Sequence, residues 1–84
     1  MLKIWAKTYI SDKIIKSKVV EFNTTRMPFY DMVKEVCQQM DVATPVVLNA
    51  HYDDMVHFRM CIFKQADFVD AINFERLQLE MMRD

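Results

Sequence analysis

Leu2-Lys3-Ile4-Trp5-Ala6-Lys7-Thr8-Tyr9-Ile10 and Ile14-Ile15-Lys16-Ser17-Lys18-Val19-Val20-Glu21-Phe22, joined by Ser11-Asp12-Lys13, are two alternating segments that read as a β-hairpin. Together with their joint they hold the only tryptophan and five of the seven lysines. Side chains alternate across a strand, so the point of chain reversal decides which of them lie beneath the core. A two-residue turn centred on Asp12 and Lys13 sets Ile10 opposite Ile15, Thr8 opposite Ser17, Ala6 opposite Val19 and Ile4 opposite Glu21. One face then holds Leu2, Ile4, Ala6, Ile10, Ile15 and Val19 and reads as core. The other holds Lys3, Trp5, Lys7, Tyr9, Lys16, Lys18, Val20 and Phe22, a basic aromatic surface.

Two-residue hairpin turns favour positive φ, which Asn-Gly and Asp-Gly supply best. This chain has no glycine, so the turn places Lys13 in a left-handed conformation unaided. A three-residue loop is the alternative. It slips the second strand by one residue and exchanges its faces, driving Lys16 and Lys18 beneath the core. Buried lysines without partners lose their hydration, so the two-residue register is the expected one.

From the hairpin outward, the chain predicts one small α+β domain spanning residues 1–84. At this length about 60–65% of the unfolded surface is buried, enough for one modest core. A hydrophobic fraction of 52% and a charged fraction of 27% suit a folded chain. No apolar run approaches the roughly 20 residues that cross a bilayer, and the N-terminus lacks a signal-peptide pattern, so the expected compartment is the cytoplasm. Cys37 and Cys61 form no CxxC pair and read as buried reduced thiols. The net charge of −1 hides an asymmetry: residues 1–26 balance to +4 and residues 27–84 to −5. That split marks either an interaction surface or internal pairing between the halves.

Beyond the polar connector Asn23-Thr24-Thr25-Arg26, Pro28 to about Met40 reads as a helix. Phe29, Met32, Val33, Val36, Cys37 and Met40 recur on one stripe, and Pro28 suits the first helical position. Pro45 disfavours helix at Thr44. Val46-Val47-Leu48 reads as a short buried strand, and Asn49 as the cap of a short second helix. Residues 57–64 alternate as a strand, with Phe58, Met60 and Ile62 on one side. Residues 65–70 read as a turn or one helical turn, and 74–83 as a last strand with Leu77, Leu79 and Met81 facing together. The expected architecture is two-layered, an antiparallel sheet of about four strands under one main helix, with the short helix at an edge. A swapped dimer whose hairpin completes a neighbour's sheet is the alternative.

The stretch TPVVLNAHYDDMVHF…DFVDAINFERLQLE, residues 44–58 and 67–80, resembles short uncharacterised proteins of Gram-positive anaerobic bacteria. The resemblance implies a bacterial source and transfers no activity, site or cofactor.

Chemistry-bearing residues are sparse. His51 and Asp54, three apart on a helix, face together and can share a metal ion, with His57 as a further ligand once the helix ends. Nothing else orients them, so ordinary surface histidines are favoured and no cofactor is expected. Cys37 with a distant histidine is no catalytic motif, and without glycine there is no phosphate-cradling loop. The eight methionines read as fillers of irregular core gaps, with Met27, Met32, Met40 and Met60 on apolar faces. The basic aromatic surface of Lys3, Trp5, Lys7, Tyr9, Lys16 and Lys18 is the candidate contact face. Its reading is a non-enzymatic interaction or assembly module, with a second copy or another protein as partner and no membrane. The alternative is single-stranded nucleic acid, lysines on phosphates and Trp5 and Tyr9 stacking on bases. Against that stand a pI near 6.1 and the absence of an RNP-type sequence.

Overall fold

A computed structural model describes residues 2–23 and 27–82. Its elements are β1 (Leu2–Ile10), β2 (Lys13–Phe22), α1 (Phe29–Met40), α2 (Asn49–Phe58), β3 (Met60–Lys64), a 3-10 turn (Gln65–Asp67) and β4 (Arg76–Met82). The four strands form one antiparallel sheet in the order β2-β1-β4-β3. The α+β class and the N-terminal hairpin are as the sequence predicts. Of the connector, Thr24, Thr25 and Arg26 lie outside the described residues, as do the last two positions of the chain.

The hairpin register corrects the expected one. The two turn residues are Ser11 and Asp12, with φ of 48° and 66°, rather than Asp12 and Lys13. Positive φ at both central positions is the twist a two-residue hairpin needs, and aspartate tolerates it better than lysine. Thr8 pairs with Lys16 and Tyr9 with Ile14, so Ile15 is an extra residue in a bulge. Beyond it Ala6 faces Lys18, Ile4 faces Val20 and Leu2 faces Phe22. The faces of β2 are therefore exchanged: Val20 and Phe22 are buried while Ile15 and Val19 are exposed. The lysines brought to the core side escape burial. Both are exposed, and Lys16 Nζ donates to Met40 O at 2.9 Å, a favourable place for a cation at the C-terminus of α1.

The stripe of α1 packs as expected, with Met32, Val33, Val36, Cys37 and Met40 buried. Pro28 precedes the helix, its carbonyl accepting from Met32 N–H at 3.1 Å. Asp41 ends the helix in the left-handed region at φ 57°. Residues 46–48 are not a strand. Val46 and Leu48 are exposed, and Val46 N–H donates to Asp67 O at 2.8 Å, tying the segment to the 3-10 turn instead of a ladder. Leu48, not Asn49, is the residue before α2, and its N–H donates to His51 Nδ1 at 2.9 Å. This helix continues through His57 and Phe58, residues expected in the next strand, and reverses at Arg59 with φ 58°. β3 consequently starts at Met60 and buries Cys61 and Phe63. Leu77 and Leu79 complete the core from β4. Both helices thus lie on the side of Ile4 and Ala6, and among the described residues no helix crosses the other side of the sheet.

Candidate functional site

On the helix-free side, register places Lys3, Trp5, Lys7 and Tyr9 of β1 beside Val19 and Glu21 of β2 and Arg76, Gln78, Glu80 and Met82 of β4. Met60, Ile62 and the exposed Lys64 extend the surface on β3. Four of the expected contact residues are therefore together. Lys16 and Lys18 are not: they project to the other side, for the register reason given above, and Val20 and Phe22 leave the surface with them.

Lys3, Lys7 and Arg76 of this face are already engaged. Lys7 Nζ lies 3.8 Å from the centroid of the Trp5 ring and 3.8 Å from Glu80 Oε1. It is only 5% exposed, its alkyl stem covered by its neighbours. Lys3 Nζ lies 3.8 Å from Glu21 Oε1. Arg76 spans the Tyr9 ring at 4.1 Å and Asp12 Oδ1 at 3.4 Å. Gln78 Nε2 donates to Met60 Sδ at 3.0 Å. Alternating charges and rings thus neutralise one another across three strands, each desolvated cation–ring contact contributing about 0.5–2 kcal/mol.

The histidines and their carboxylate do not converge. His51 is 7% exposed and faces the sheet, its ring 4.3 Å from that of Phe63. Because a backbone amide can only donate, Nδ1 accepts from Leu48 and Nε2 carries the hydrogen, directed at Asp67 Oδ2 at 3.3 Å. The same carboxylate oxygen accepts from Lys64 N–H at 2.8 Å. His51 is a buried staple between α2 and the 3-10 turn rather than the surface histidine expected. His57 Nδ1 bonds the carbonyl of Asp53 at 2.8 Å. Among the described residues no group of three or more histidine, cysteine, aspartate or glutamate side chains is placed to hold a metal.

Cys37 and Cys61 are free thiols in the core. Burial pushes Cys37 up to about 11, partly offset by a hydrogen bond with Thr44. Burial, with the Asp54 charge nearby, pushes Cys61 up to about 12. Thiols held protonated in this way are poor nucleophiles.

A second surface was not anticipated. On the helical side, α1, α2 and the strand ends enclose an apolar groove of about 460 Å³. Leu2, Ile4 and Met81 form its floor, Met27, Pro28, Phe29 and Met32 one wall, and Tyr52, Met55 and Val56 the other. Phe29 and Tyr52 meet edge-on across it, their centroids 5.7 Å apart. Four of the eight methionines line this groove. The helical spacing of Tyr52, Met55 and Val56 and the high methionine count are the sequence features that belong to it.

No family model matches the chain, and no match was found among the curated proteins or the solved structures.

Proposed function

We propose that this protein is a small cytosolic, non-enzymatic interaction module that self-associates through the helix-free face of its sheet. The observation that carries the reading is the paired state of that face. Lys7 lies between Trp5 and Glu80, Arg76 between Tyr9 and Asp12. A two-fold contact sets a patch against itself, so a surface of one sign repels its copy, whereas interleaved and internally neutralised charge does not. Aromatic anchors such as Trp5 and Tyr9 are the residue types that dominate contact energies. Four strands of five to ten residues give a face of about 500 Å², so a face-to-face dimer buries about 1,000 Å², the low end of specific interfaces. The expected association is therefore weak and concentration-dependent.

Nucleic-acid binding has less support. Phosphate contacts need cations free to exchange their counterions, and base stacking needs open ring faces, while Trp5 and Tyr9 each already carry a cation. Trp5 is the only tryptophan and so reports on this face directly. Its emission should shift to the blue as protein concentration rises through the micromolar range, with no change on adding mixed single-stranded oligonucleotides at low salt. Emission indifferent to protein concentration but quenched by oligonucleotide would reverse the two readings.

A further inference from the structure

The groove between α1 and α2 lies on the other side of the molecule from the proposed dimer face. We propose that it docks a basic amphipathic helix of a partner protein. Its walls offer Met27, Met32, Met55 and Met81, unbranched thioethers that adapt to differently shaped apolar side chains. Two anchors at i and i+4 on a docking helix stand about 6 Å apart along its axis, the spacing of Tyr52 and Val56 on the receiving wall.

Charge selects the sign of the occupant. Helical spacing sets Glu35 beside Met32 on α1 and Asp53 beside Val56 on α2, three residues from each lining position. Asp31 stands next to Met32 in the first turn of α1. No ion pair engages Asp31, Glu35 or Asp53 among the described residues. The two helices together carry four carboxylates against Lys34. An apolar slot with such a rim disfavours fatty carboxylates and phosphates and favours apolar side chains flanked by lysine or arginine.

The test uses the full chain labelled at the methionine methyls and a synthetic helix of leucine and lysine, about 18 residues or five turns long, with leucines at i, i+3, i+4 and i+7. Met27, Met32, Met55 and Met81 signals should move on titration, while Met40, buried beneath α1, and Met60, on the opposite sheet face, should not. Added salt should weaken binding, and a Glu35→Gln/Asp53→Asn double variant should weaken it by about fivefold to tenfold. Val56 is 57% exposed, so Val56→Lys leaves the fold intact, checked by circular dichroism, and should abolish the shifts. The proposal is overturned if no groove methionine moves, or if Val56→Lys binds as well as the parent. It is equally overturned if a peptide with glutamate for lysine, or with its leucines scrambled, binds as tightly. Groove signals that move with protein concentration alone would assign the groove to a second copy and also overturn it. None of these outcomes depends on Trp5, so they leave the sheet-face reading to its own test.

Discussion

His51, Cys37 and Cys61 carry more structural weight than their types announce. His51 closes α2 against the 3-10 turn by accepting from Leu48 N–H and reaching Asp67. A His51→Ala change leaves the Leu48 amide and the Asp67 carboxylate without this partner and opens a void against Phe63. It should cost about 2–4 kcal/mol in urea unfolding, with helix content retained; a loss below about 0.5 kcal/mol, the size of an ordinary surface substitution, would deny the staple role. The cysteines govern stability at alkaline pH. Their folded values of about 11 and 12 exceed the free-thiol value of 9.0. Each therefore contributes stability that is complete below pH 9.0 and lost as pH rises toward its folded value. A Cys37→Ala/Cys61→Ala variant is expected to be less stable at pH 7 through lost packing. Its urea midpoint should nevertheless fall less steeply than the parent's above pH 9.0. Parallel curves would remove the thiols from the account. The buried thiols were legible in sequence, but the histidine was not: a histidine on a short helix looks the same whether its ring meets water or Phe63.

At the scale of elements, α1 was readable because one stripe of six apolar residues admits one packed face. The hairpin was readable as a hairpin but not in register, because the one extra residue at Ile15 exchanges every side chain of β2 beyond it, whereas moving the two-residue turn by one position alone would not. No glycine marks the turn, and the bulge at Ile15 has no signature of its own. α2 runs past its expected end because HFRMCIFK, residues 57–64, alternates as a strand from His57, and Arg59 reverses the chain without the glycine usual at such a position. The turn itself supplies a test of register. Asp12 sits at φ 66°, where glycine is unstrained, and its pair with Arg76 is exposed and worth little. Asp12→Gly should therefore stabilise by about 1 kcal/mol, raising Tm by about 4–8 °C. Lys13→Gly should instead destabilise, since Lys13 lies within β2. The reverse order in thermal melts would restore the turn on Asp12 and Lys13.

For the whole molecule, the charge split of the sequence resolves into two layers. The hairpin pairs with β4 through Lys7–Glu80 and Arg76–Asp12, while Asp31, Glu35, Asp53 and Asp54 lie on the two α-helices. One side of the sheet is thus aromatic with largely paired charges, and the helices flank the apolar groove with carboxylates. The groove was not legible because residues 2–4, 27–32, 52–56 and 81 meet there only after folding. The candidate face was legible in its β1 half, since Lys3, Trp5, Lys7 and Tyr9 alternate on one strand whatever its partner. Its β2 half depended on the register and changed with it. The most direct measurement of the central claim is sedimentation equilibrium of the parent and a Trp5→Ala variant from low to high micromolar concentration. The parent's mass should climb from 10.1 kDa toward twice that value while the variant stays at 10.1 kDa; a parent that remains at the single-chain mass throughout, or a variant that associates equally well, would contradict self-association through this face.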